Sequence, residues 1–136
     1  MWQNTSYLRL VLEVNAWHAS RQTGIKRHLW FYDQVKSGGP WDLKCAVKAG
    51  ASRTRARFGF CGSTISAEDY GNIHYGYVGN ACKISKYALL YGSITAHWLE
   101  WRFRHLRNEY RDHRKIALGY YLYQQWGKRN AYRFVR

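Results

Sequence analysis

The chain has 136 residues, of which 46% are hydrophobic and 18% aromatic, and 22 Lys and Arg stand against 8 Asp and Glu for a formal charge of +14. That size and apolar content suit one compact domain around one core, and argue against two independent domains. A charge so lopsided exceeds what solubility requires and implies an anionic partner, with nucleic acid ahead of a membrane surface or an acidic protein.

At the N-terminus, Arg9 and Glu13 interrupt the stretch where a signal peptide would need an apolar centre, so no export address is expected within the chain. Tyr7, Leu10, Val11, Val14, Trp17 and His18 recur at three and four, the spacing of an amphipathic helix over Ser6 to Ser20. A basic joint, Arg21 to His28, leads to a short second helix through Leu29, Trp30, Tyr32 and Val35. Ser37-Gly38-Gly39-Pro40 stops it. From Trp41 to Asn80 the periodicity fades into loop with a short strand. Ile84, Tyr87, Ala88, Tyr91, Ile94, Trp98 and Trp101 form the clearest helical stripe, with Ser85 as its N-cap. A last helix fits Glu109 to Gln125 through His113, Ile116, Ala117, Tyr120 and Tyr121, with Asn108 at its start and Glu109 on the positive end of its dipole. The expected fold is therefore mainly α: a single domain of about four helices around an irregular, glycine-rich middle segment.

Cys45, Cys61 and Cys82 are odd in number and widely spaced, without the pairing of a zinc site, and read as reduced, mostly buried thiols, or, in a secreted chain, as one disulfide with one cysteine left over. No run approaches the roughly eighteen apolar residues of a membrane span. The densest basic runs are Arg53, Arg55 and Arg57, then Arg102 to Lys115, then a C-terminal tail from Lys128 to Arg136. Each has rings in or beside it, such as Phe58, Trp101, Phe103, Tyr110 and Tyr132, the pairing by which proteins clamp phosphates and stack bases. The alternative for these runs is a set of solvated helix faces.

Glu68 to Asn80, E-D-Y-G-N-I-H-Y-G-Y-V-G-N, is the segment richest in polar chemistry. Three glycines suggest a loop whose backbone approaches a ligand, around Asp69, Asn72, His74 and Tyr75. An ordinary turn with packed tyrosines is the plainer reading.

Three blocks resemble the bacterial toxin 44 family, found at the C-termini of polymorphic toxins including RHS-repeat proteins. They are W-F-Y-D-Q-V-K-S-G-G-P-W-D-L-K from Trp30 to Lys44, the G-N-x-H-Y-G core within Glu68 to Asn80, and N-E-Y-R-D-H-R-K-I-A-L-G-Y-Y from Asn108 to Tyr121. They give the domain an N-terminal helix at 6–20, a family-like core at 30–121 and the basic tail at 128–136. The third block departs most: Asn108 and Glu109 stand where the family has two acids, Tyr110 replaces a proline and His113 a glutamine. In the first, Leu43 replaces an aromatic, and the Cys45 to Ala67 connector looks longer and more basic.

The resemblance implies a toxin module, secreted as part of a larger effector, that acts in the cytoplasm of a competing bacterium and is blocked in the producer by a cognate immunity protein, expected to be acidic. It implies a ribonuclease. Metal-free RNA cleavage needs a base, an acid and a cation over the phosphate. His74 is the expected base, oriented by Asp69 or Glu68, with Lys44 as the cation beside Asp42, and His113 or Tyr75 as the acid. Asn72 or Tyr75 would hydrogen-bond the phosphate, and Asn80, Arg53, Arg55 and Arg57 complete the expected substrate contacts. No cofactor is expected, unless Asp42, Asp69 and Asp112 converge to hold a divalent metal; Asp112 otherwise reads as a helix-face ion pair with Arg111 or Arg114. His18, His28, His97 and His105 read as structural or solvated. Rival readings are a non-catalytic nucleic-acid-binding module and a cell-wall-degrading toxin of the periplasm.

Overall fold

The computed structural model describes residues 5–36, 39–41, 57–91 and 106–130. In chain order these form α1 (Thr5–Ser20), α2 (Lys26–Val35), β1 (Arg57–Phe60), β2 (Ser63–Ser66), α3 (Ala67–Ala81) and α4 (Leu106–Asn130), with a further helical stretch at residues 86–91. The domain is mainly helical, as the periodicity predicts, with one two-stranded hairpin.

The α1 helix lies where the three-and-four spacing puts it, but its buried face is different. Leu8, Leu12, Ala16 and Ala19 are buried, while Tyr7, Leu10 and His18 are exposed. Both faces of α1 carry apolar residues, so spacing identifies the helix without identifying the side that packs. In α2 only Phe31 is buried, and Leu29 and Tyr32 are exposed. The helix stops before the Ser-Gly-Gly-Pro run as expected, and the Trp41 N–H folds back to the Gln34 carbonyl at 2.7 Å.

The β1–β2 hairpin turns on Cys61 and Gly62, both at positive φ (51° and 78°), as a two-residue type I′ turn requires. Register pairs Arg57 with Ser66 and Phe60 with Ser63, which turns Phe60 and Ile65 into the core.

The irregular segment expected at Glu68 to Asn80 is instead α3, and eleven of its fifteen residues are buried. Its ends explain why a glycine-rich stretch is helical. Ser66 accepts from the Asp69 N–H at 3.0 Å while Asp69 Oδ2 accepts from the Ser66 N–H at 3.1 Å, a complete capping box. At the other end Lys83 takes a left-handed conformation, and the Lys83 and Ile84 N–H groups bond to the Asn80 and Gly79 carbonyls. This is a Schellman closure.

Two of the glycines serve packing against α4. A Cβ on Gly76 would overlap the Ile116 carbonyl, and one on Gly119 would overlap the Ile73 carbonyl. The helices therefore cross backbone to backbone. Asn72 reaches Asp112, Gly76 meets Ile116 and Asn80 reaches Tyr120, so contacts advance together along both chains and the two helices run in the same sense across this seam. The α4 helix starts at Leu106, so Asn108 and Glu109 lie within its first turn rather than at its start. Its buried residues include Asp112, Ile116, Gly119 and Leu122, whereas Tyr121 is exposed. Ser85 does cap the 86–91 helix, accepting from the Ala88 N–H at 3.1 Å. Of the cysteines, Cys61 is exposed, Cys82 is a buried thiol, and Cys45 lies outside the described residues.

Candidate functional site

The polar centre of the domain lies where α3 meets α1 on one side and α4 on the other. Helical geometry directs Tyr70 and His74 of α3 towards α1, and Asn72, Gly76 and Asn80 towards α4. The bonds follow that division.

His74 is 1% exposed. The Asn15 side-chain amide lies 2.9 Å from its Nε2; an amide nitrogen can only donate, so Nε2 accepts and the ring proton rests on Nδ1. Burial disfavours the charged ring and brings its pKa down to about 3. Trp41 packs edge-on over His74 at 5.5 Å between centroids, and Trp30 packs edge-on against Trp41 at 5.2 Å. The first two blocks of the sequence thus meet at His74. Asn15 was not foreseen, since a polar residue beside the buried stripe of an amphipathic helix carries no distinctive signal.

Asn72 and Asp112, both buried, join the second block to the third. The Asn72 amide donates to Asp112 Oδ1 at 2.9 Å. The sequence reads Asp112 as a helix-face ion pair; the crossing of α3 and α4 buries it and brings it the Asn72 amide. Its neighbour His113 is half-buried, and its Nε2 is fully enclosed with no hydrogen-bond partner among the described residues.

The other expected site residues have structural partners. Asp69 belongs to the capping box, and five positions along a helix separate it from His74, too far around the axis to orient that ring. Glu68, in the first turn of α3, is exposed, whereas His74 is buried. The Tyr75 hydroxyl donates to the Leu89 carbonyl at 2.8 Å, and burial pushes its phenol up to about 12, which makes it a poor acid near neutrality. Asn80 donates to the Tyr120 carbonyl at 2.8 Å. Arg57 opens β1 and is exposed, and His18 and His28 are also exposed. Asp42, Lys44, Arg53, Arg55, His97 and His105 lie outside the described residues.

The three aspartates considered for a metal are placed only in part, because Asp42 is undescribed. Asp69 caps α3 and Asp112 holds Asn72. Among the described residues no group of three His, Cys, Asp or Glu side chains is arranged to hold a metal ion.

A model of the family described as bacterial toxin 44 matches residues 30–125. That span contains Trp41, Asn72, His74, Asp112 and His113, and leaves α1 with Asn15 outside it. No curated protein and no solved structure matches the chain.

Proposed function

Because the chain belongs to the bacterial toxin 44 family, which makes it a bacterial toxin domain, we propose that it is the toxin module of a larger secreted effector and that it cleaves RNA in the cytoplasm of the target bacterium. A cognate acidic immunity protein restrains it in the producer.

The observation that carries this reading is the sorting of charge by the fold. Of the five acids whose burial is described, Glu13, Asp69 and Asp112 are buried, whereas no lysine or arginine among the described residues is. Folding therefore withdraws negative charge from the surface of a chain that already has an excess of +14. A polyanion is the partner that such a surface attracts most strongly, and neutralising its phosphates releases counterions.

In this reading the chemistry is divided among the three blocks. His74 is a weak base at a pKa of about 3, so it organises the site by tying α1 to α3 beneath Trp41. Proton transfer falls to His113, which is half-buried on the stretch of α4 anchored by Asn72 and Asp112. Lys44 and Asp42, just after Trp41 in the chain, supply the cation over the phosphate and the carboxylate beside it.

The test is incubation of the purified domain with total RNA, with and without a chelator, beside His113→Ala. Discrete fragments from the wild type and a loss of about a hundredfold or more in the variant are expected. Retained cleavage in the chelator identifies a metal-free reaction. Intact RNA from a protein that still kills cells when expressed in their cytoplasm would refute the reading, and killing only from the periplasm would move the target to the cell wall.

A further inference from the structure

Three residues outside the matched segment, Arg9, Glu13 and Trp126, form a second polar cluster with Tyr77. On α1, Asn15 lies on one flank of the buried Leu8, Leu12, Ala16 and Ala19 stripe, and Arg9 and Glu13 lie on the other. The cluster is therefore separate from the His74 contact.

Arg9 is held in two ways. Its Nε donates to Glu13 Oε1 at 2.8 Å, and its guanidinium lies 4.2 Å from the centroid of the Trp126 ring. Glu13 has a side chain only 5% exposed, while that of Arg9 is 39% exposed. Trp126 is itself fixed, against Phe60 at 6.1 Å and Tyr77 at 6.2 Å. The β1–β2 turn lies close by, since the Arg9 charge opposes the rise that burial imposes on the Cys61 thiol.

A guanidinium has five N–H donors in a planar fork, and Glu13 uses the one on Nε. No acceptor among the described residues bonds the two terminal amino groups. With one edge tied to a buried carboxylate and one face against an indole, the rest of the fork is pre-ordered, so an oxyanion binds without the entropy of immobilising a free arginine. Beneath the pair, Tyr77 is 0% exposed and its hydroxyl has no partner among the described residues. That hydroxyl lies within the electrostatic reach of Glu13 and Arg9, a buried donor still lacking an acceptor.

We propose that Arg9, held by Glu13 and Trp126, is a phosphate-binding subsite for the backbone of a single RNA strand. This rests on the reading of RNA as the substrate. The guanidinium fork fits a carboxylate or a phosphate alike, and phosphate is favoured because the charge of the whole domain favours a polyanion.

The test is fluorescence anisotropy of the intact domain with a fluorescein-labelled, ten-nucleotide 2′-O-methyl RNA, which lacks the hydroxyl needed for self-cleavage, across a range of salt. Arg9→Gln weakens binding roughly tenfold and lowers the slope of log affinity against log salt by about one. Arg9→Lys recovers the slope but not the full affinity, because it keeps the charge and loses the fork. Glu13→Gln makes the protein more positive, so diffuse attraction predicts tighter binding; the subsite predicts weaker binding, because Arg9 is released. If thermal melts show that Glu13→Gln fails to fold, the two Arg9 variants at a half-exposed side chain decide the matter. Equal affinity and slope in Arg9→Gln and wild type overturn the subsite alone and leave the RNA reading standing. Absence of any binding by the wild type overturns both.

Discussion

Asn15 and His74 are joined by a 2.9 Å hydrogen bond between two helices 59 positions apart in the chain. The bond depends on a neutral ring, and burial keeps it neutral down to a pKa of about 3. An unfolded imidazole takes up a proton near 6.5. Between those values the unfolded chain binds one more proton than the folded one, so this contribution is fully present above about pH 6.5 and is lost as the pH falls towards 3, by about 1.4 kcal/mol per unit. Replacing His74 by Gln should cost stability at pH 7.5, and its deficit against wild type should shrink steadily at pH 6 and pH 5 in urea unfolding. Unfolding curves that keep a constant separation over that range would disprove the assignment.

The crossing of α3 and α4 should tolerate no side chain at its centre. The atoms a Cβ would meet at Gly76 and Gly119 are backbone atoms, the Ile116 and Ile73 carbonyl oxygens nearest, which have no rotamer to yield. Gly76→Ala or Gly119→Ala is expected to cost about 3 kcal/mol or more, beyond any gain from alanine's better helix propensity. Urea midpoints measure it, and a midpoint equal to wild type for either variant would mean that the helices cross less closely.

Asn72 supplies a charge-assisted bond to a carboxylate that has little water around it. Asn72→Leu keeps much of the volume and removes the donor, and is expected to destabilise by about 2 kcal/mol. Because the same pair anchors the stretch of α4 carrying His113, RNA cleavage should also fall under conditions where the variant is fully folded. Full activity in such a folded variant would separate the seam from catalysis.

The capping box sets where α3 begins. Ser66→Ala removes the acceptor for the Asp69 N–H and is expected to cost about 1 kcal/mol. Ser66→Asp keeps an acceptor and should recover most of it, read as the shift in melting temperature.

Apolar spacing placed α1, α2 and the body of α4, and Ser85 was legible as a cap, because these features depend on neighbours within a turn or two. Glycine content misdirected the reading of Glu68 to Asn80, although a local signal for a helix was present in Ser66-Ala67-Glu68-Asp69. Glycine lowers helix propensity by about 1 kcal/mol, and that rule is overridden where the missing Cβ lets another backbone approach, as Ile116 approaches Gly76.

By itself the sequence determined a one-domain, mainly helical, strongly basic protein and the three blocks that mark its family, since charge, composition and short-range periodicity are properties of the chain before it folds. The tertiary structure decided which face of α1 is buried, that His74 is a neutral enclosed ring held by Asn15, and that Asn72 meets Asp112. Each of these depends on which helix lies alongside which, and desolvation and pairing are set by neighbours that are remote in the chain.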